Sequence, residues 1–454
     1  MHPLTIFYSI YGFNLTVFFW ELYLSYRQYC LFRDTEKRPE HVSEIINESD
    51  YDKARRYKLA KLRFGFVSSI VGQILTTIIL FFNVMPCLWK KAGSIAESIY
   101  GDSEIIQSIF FVILSSLFEN ITSLPFGLYE NFVIEEKFGF NKQTVKFYLT
   151  DKVKKFVVAT LIASPLIAAL IWIVNVGGDY FFVYVWIFVS LVIFVMMTIY
   201  PEFIAPLFDK FTPLPDSELK TKIEKLAASV EFPLTKLYVV EGSKRSSHSN
   251  AYMYGFWKNK RIVLYDTLLS EEMNNLLKEI HLKEDAKKDE QEPLDKNKEK
   301  EKKLGMKDDE VVAVLGHELG HWKLSHTLSN LSIAEVNLFF ILVVFSYFYQ
   351  NENIYLAFGY ERPAVLIGLT LITQYVLTAY NEVVNVAMSF LSRYMEFSAD
   401  RFSAKLGYTD LLCTALIKLG KDNLSMPIDD PLYSLVHHSH PPIIERIAAL
   451  RKTQ

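Results

Sequence analysis

The chain has 454 residues, of which 51% are hydrophobic and 15% aromatic, and a mean hydropathy of +0.16. That is too apolar for an ordinary soluble enzyme and reads as a membrane protein. A formal net charge of -3 gives no reason to expect nucleic acid, and the three scattered cysteines (Cys30, Cys87, Cys413) argue against a disulfide scaffold or a thiolate metal site.

Seven segments are apolar over the roughly 20 residues a helix needs to cross about 30 Å of hydrocarbon. They are 4–24, 66–86, 105–128, 156–175, 181–199, 331–349 and 363–385. The first has no small-residue cleavage site and is followed at once by basic residues, so it reads as a permanent span and not a removable leader. Lysines and arginines crowd the loop between the first two spans (Arg27 to Arg63) and the loop between the third and fourth (Lys137 to Lys155). The positive-inside rule then puts both loops, the stretch 200–330 and the carboxy terminus in the cytosol. Glu21, Gln73, Glu119, Asn120, Glu335, Asn337, Gln374, Asn381 and Glu382 fall within or beside spans and must face protein or water, as links between helices or as the lining of a wet interior.

In the hydrophilic stretch, 217–230 has the period of an amphipathic helix, and Lys236 to Val240 reads as a short strand. Asn250 to Phe256 and Arg261 to Asp266 form a hairpin about Lys258-Asn259-Lys260, and a helix follows near 271–280. Residues 281–308 are almost entirely charged or amide side chains and read as a solvated insertion. The next helix opens on Asp308, Asp309 and Glu310, which suit a helix amino terminus, and carries His317-Glu318-Leu319-Gly320-His321.

An H-E-x-x-H run on a helix stacks two imidazoles on one face at i, i+4, where they can take two corners of a zinc tetrahedron. Glu318, one residue on, turns toward the attacking water and suits a general base. The third ligand is sought on a second helix, Arg393 to Leu406, closed by Gly407, with carboxylates at Glu396 and Asp400 again at i, i+4. Glu396 can bind one zinc ion while Asp400 accepts the free N–H of a ligand histidine. Asn250-Ala251-Tyr252 lies on a possible edge strand that can pair with an extended substrate. His440, in His437-His438-Ser439-His440-Pro441-Pro442, is placed to donate to an oxyanion.

Specific runs carry a resemblance along the whole chain: Phe132–Asn141, Ala205–Phe211, Glu241–Tyr252, Val314–Trp322, Tyr380-Asn381-Glu382, Glu396–Asp400, and Ser439–Pro442 with Glu445-Arg446. In these the chain resembles the type I CAAX prenyl proteases, intramembrane zinc endoproteases that mature a-factor and prelamin A. The resemblance implies seven transmembrane helices forming a hollow barrel, in the endoplasmic reticulum and inner nuclear membranes, capped by a mainly helical, glutamate-ligand (gluzincin-type) protease domain with a small β-hairpin or sheet. It implies His317, His321 and Glu396 as ligands of one Zn2+, Glu318 as base, and roles for Asn250 and His440 in gripping substrate and stabilising the intermediate. The expected substrates are prenylated CAAX proteins or peptides, prelamin A-like, which lose their last three residues and in some cases suffer a second cut upstream.

The expected organisation is 1–200 for helices 1–5 with their loops, 201–330 for the protease domain with its insertion, 331–390 for helices 6–7, and 391–454 for the third-ligand helix and the rest of the protease domain. Two other readings stand beside this one. A broad membrane quality-control zinc protease needs the same site but no lipid on its substrate. A non-enzymatic scaffold or channel with structural zinc has no use for Glu318 beside the metal.

Overall fold

The structure, a computed structural model, describes residues 1–255, 259–285 and 305–452. Six long helices come first: α1 (Pro3–Asp34), α2 (Glu48–Phe81), α3 (Val84–Tyr100), α4 (Glu104–Tyr129), α5 (Val145–Val176) and α6 (Phe181–Ile199). A mixed region follows, with β1 (Phe211–Pro213), α7 (Glu218–Ser229), β2 (Leu234–Val240), β3 (Ala251–Tyr254), β4 (Lys260–Tyr265) and α8 (Glu271–Asp285). The rest is helical: α9 (Asp308–Lys323), α10 (His326–Phe348), α11 (Glu352–Ala357), α12 (Val365–Leu371), α13 (Thr378–Lys405), α14 (Thr409–Asp422), α15 (Pro431–His437) and α16 (Ile443–Arg451).

Among the described residues five helical stretches are long and apolar enough to cross a membrane: Glu48–Phe81, Glu104–Glu135, Val145–Val176, Gly178–Leu207 and His326–Phe348. They overlap the expected spans two to six. The first expected span lies in α1, whose 32 residues are diluted by polar groups. The seventh is broken into α12, a π turn at Ile372–Val376, and the start of α13. The second span also needs trimming, because α2 stops at Phe81, Asn83 takes a left-handed φ of 50°, and α3 restarts the chain as a separate helix that the sequence reading lacked. On α6, Tyr184, Ile187, Leu191 and Phe194 are all exposed, a continuous apolar face of the kind that lipid covers.

Polar groups among these helices are used in both expected ways. Glu335 accepts from the Ser190 hydroxyl at 2.5 Å, and Tyr380 donates to Asn337 at 2.6 Å, tying α10 to α6 and α13. Glu119 and Gln374 instead line a cavity of about 630 Å³ together with Thr122 and Thr370.

The sheet is larger than the hairpin expected from sequence. Its order is β1-β2-β4-β3, with β2 and β4 parallel and the two outer pairings antiparallel. The anticipated hairpin is the β3–β4 half, which leaves β3 at the edge; Lys258 of its turn lies outside the described residues. So does 286–304 of the charged insertion, while residues up to Asp285 extend α8 beyond its expected end at 280.

One core joins the sheet to the site. Leu219, Ile223 and Leu226 of α7, Ile262 and Leu264 of β4, and Val311, Leu315 and Leu319 of α9 pack in a single cluster. At the start of α9 the Lys307 amide donates to Glu310 at 2.8 Å, satisfying a donor the helix itself cannot. α9 is therefore buried on nearly every side, while α13 crosses it. Two glycines permit that crossing. A Cβ at Gly320 would stand 3.1 Å from the Ala399 backbone, and one at Gly316 would stand 3.0 Å from Ser403 Oγ, which donates to the Ala313 carbonyl. Gly407, at φ 85°, then ends α13 in the expected left-handed cap.

Candidate active site

The close approach of α9 and α13 sets the imidazoles of one against the carboxylates of the other. His317 and His321, one turn apart on α9, point their Nε2 atoms at each other across 3.2 Å. Glu396 of α13 faces both, with Oε2 3.5 Å from His317 Nε2 and Oε1 3.2 Å from His321 Nε2. One ligand atom from each of the three lies within 4.8 Å of the others.

The donor set fits a metal. Two imidazole nitrogens and a carboxylate oxygen are the ligands zinc takes at open, catalytic sites. Glu396 Oε2 is buried without a hydrogen-bond partner among the described residues, although His440 Nδ1 lies 2.9 Å away. That oxygen faces the Arg446 guanidinium and the two ring nitrogens without a hydrogen bond of good geometry, a position from which it can also turn to a metal. Burial opposes charge on Glu396, yet the His317 and His321 rings hold its carboxyl well below the usual range.

Around the three lies a set of fixed partners. Asp400, almost fully buried, sits 2.8 Å from His317 Nδ1. Arg446 of α16 grips the same carboxylate with Nε at 2.8 Å and Nη2 at 2.7 Å, and its Nη1 lies 3.3 Å from Glu396. Burial works against a charged His317, but Asp400 and Glu396 outweigh it and push the imidazole up to about 9. The 2.8 Å contact suits an Nδ1–H that donates to Asp400, the arrangement that leaves Nε2 for a metal. His321 has its own support, since His326 Nδ1 is 2.9 Å from His321 Nδ1, and His326 Nε2 is 3.1 Å from the Ser398 hydroxyl.

Glu318 occupies the next position on α9, where burial raises its carboxyl above the ordinary range. β3 packs against α9. Asn250 heads that strand, exposed, its carbonyl accepting from the Tyr265 amide at 3.1 Å and its Oδ1 from the Ala251 amide at 2.8 Å. His440 hangs from the segment between α15 and α16, with 66% of its side chain exposed. The structure thus gathers His317, Glu318, His321, Glu396, Asp400 and His440 about one point, and sets Asn250 on the strand alongside.

Arg446, His326 and Ser398 belong to this cluster, yet no role was read for them from sequence. The Glu445-Arg446 pair was visible only as part of a family run, and His326 only as a third histidine five residues past His321. The remaining runs serve the scaffold. Phe140 stacks on His248 with ring centroids 4.1 Å apart, Glu135 accepts from Tyr57 at 2.8 Å and Lys61 at 3.0 Å, and Arg245 ties Asp209 to Asp151. These contacts fasten the loop ahead of β3 to the ends of the long helices.

Comparison with known proteins agrees with the geometry. Residues 213–454 match peptidase family M48, and residues 28–210 match the CAAX prenyl protease N-terminal region with five membrane helices. The chain belongs to family M48. Within M48, a CAAX prenyl protease 1 homolog of Caenorhabditis elegans is 51% identical, with 99% of this chain and 98% of that protein covered. The Homo sapiens homolog is 47% identical, covering 98% and 95%. The crystal structure of Ste24p from S. mikatae superposes with a TM-score of 0.85 at 36% identity, covering 99% of this chain and 100% of that one. As an M48 member with these spans, the chain is a multi-pass membrane metallopeptidase.

Proposed function

We propose that this M48 peptidase is a zinc endopeptidase that removes the last three residues from farnesylated CAAX proteins and makes a second upstream cut on some of them. The observation that carries the reading is the meeting of His317, His321 and Glu396 within 4.8 Å, with Glu318 beside them and an open strand edge alongside. The relatives' names supply the substrate class. Zinc bound by these three residues supplies Lewis acidity, which polarises the scissile carbonyl and acidifies the attacking water.

The chain's own residues do the rest. β3, headed by Asn250, holds the substrate extended through main-chain pairing. Glu318 takes the proton of the attacking water and delivers it to the leaving amine, a task its raised carboxyl suits. His440 donates a hydrogen bond to the oxyanion as charge develops there. Asp400 fixes the ring of His317. The peptide bond breaks without a covalent enzyme intermediate.

The same reading assigns seven membrane helices about a hollow interior, with 1–200 and 331–390 forming the membrane part and 201–330 and 391–454 the protease part. It places the protein in the endoplasmic reticulum and inner nuclear membranes, with the protease part on the cytosolic or nucleoplasmic side. On that orientation Asn47-Glu48-Ser49 and Asn423-Leu424-Ser425 stay unglycosylated despite matching the acceptor pattern. A glycan at either would overturn it. The function is tested by assaying purified protein on matched farnesylated and unfarnesylated peptides with and without a zinc chelator. Chelator-sensitive cleavage that favours the farnesylated peptide supports the reading, and indifference to the lipid supports the quality-control protease instead.

A further inference from the structure

Beside the site, a cavity of about 640 Å³ opens between α1, α2 and the carboxy-terminal segment. His440 and Arg446 are among its lining residues, which brings it up to the edge of the site. Leu22, Leu62, Phe66 and Met426 give it an apolar wall, and Lys58, Gln28, Asp429 and His438 a polar one. Its size falls within the roughly 300–1,000 Å³ of small-ligand pockets.

The cations on its surface differ in one respect. Arg446 is engaged by Asp400 and Glu396, and Lys61 by Glu130 and Glu135. Lys58, among the described residues, has no carboxylate within ion-pair distance and no hydrogen-bond acceptor; its ammonium has only the face of Tyr57, 5.8 Å away. Asp429, whose charge acts on Lys58 from beyond contact, accepts from Gln28 at 2.7 Å, and burial pushes its carboxyl up to about 7. An ammonium left half-buried with no carboxylate in contact is a place where an anion gains more than it would in water.

We propose that this cavity receives the three residues beyond the scissile bond and that Lys58 holds their terminal α-carboxylate. The inference rests on the tail-removing activity proposed above and names its carboxylate subsite. The chemistry matches at both ends. Aliphatic side chains of the tail fit the apolar wall, and a single negative charge fits a single unpaired ammonium. Three extended residues reach about 10 Å, so the tail needs a compact pocket next to His440 and not a long groove. A prenyl chain fits less well, since it would strip water from Lys58, Asp429 and Gln28 without replacing their hydrogen bonds.

The test uses full-length protein and one farnesylated CAAX peptide made both as the free acid and as the carboxy-terminal amide. The wild-type enzyme is expected to prefer the acid in kcat/KM by about tenfold to a hundredfold, as one charge-assisted contact would give. Lys58→Met should collapse that ratio to near one, and Lys58→Arg should keep most of it, with metal content and melting temperature measured on the same preparations. A wild-type enzyme indifferent to amidation overturns the proposal, as does a Lys58→Met protein that keeps the preference or loses both substrates in equal proportion. Should Lys58→Met not fold, the wild-type ratio and Lys58→Gln decide by the same criterion. Failure to cut either peptide would instead defeat the proposed function itself.

Discussion

α9 and α6 are both rich in apolar residues, and their fates are opposite. On α9, Val311, Leu315 and Leu319 are buried by α7, the sheet and α13, while on α6, Tyr184, Ile187 and Leu191 are exposed. Apolarity alone therefore does not say what covers a helix. α9 is covered by the chain, and polar groups inside that cover, such as Asp400 and Arg446, are held in fixed partnerships; α6 buries Phe181 and Val185 against its neighbours and leaves its outer face for a bilayer to cover. The site sits on the first kind of helix, and that is where substitutions should tell most.

The sharpest contrast is chemical. Glu318→Gln should keep its metal and lose turnover by about 100-fold to 10,000-fold, as loss of a general base does. Alanine at His317, His321 or Glu396 should remove metal and activity together, and full zinc in a Glu396→Ala protein by metal analysis would break the ligand assignment. Next comes packing: Leu315→Ala, at a fully buried position, should cost about 2–5 kcal/mol in thermal or denaturant unfolding. His440→Ala should lower turnover by roughly 100-fold to 1,000-fold with metal and peptide affinity preserved. If His440 only anchors the turn at Pro441-Pro442, melting will fall and turnover per folded molecule will not. Asp400→Asn should weaken zinc binding by about 10-fold to 100-fold, read by competition with a chelator. The smallest effect belongs to the other helix. Leu191→Ala, 59% exposed, should leave stability in detergent within about 0.5 kcal/mol, and a loss comparable to that of Leu315→Ala would dissolve the contrast.

Sequence disclosed the features that repeat locally. The i, i+4 pairs His317/His321 and Glu396/Asp400 each announce a helix face, and one helix placed against the other is the site. What escaped needed distant partners. β2 and β4 run parallel although β3 lies between them in sequence, and β1 is three residues ending on a proline, too short to show alternation. Arg446 is 46 residues from Asp400 and finds it only through the fold. α13 is the instructive difference, because the sequence suggests a span ending at 385 and a separate helix from 393, whereas one helix runs through both. No glycine or proline falls between Thr378 and Lys405, so nothing there breaks the helix.

That continuity has a mechanical meaning. Thr378 stands at the apolar end of α13, and Glu396 lies about 27 Å along the same rod. A swing of only about 5° at the lower end of such a rod would move Glu396 by about 2 Å, far beyond the ~0.2 Å tolerance of a metal–ligand distance. The glycine seam lets α9 and α13 pack backbone against backbone, so the spacing of His317, His321 and Glu396 depends on one direct helix contact and not on a linker.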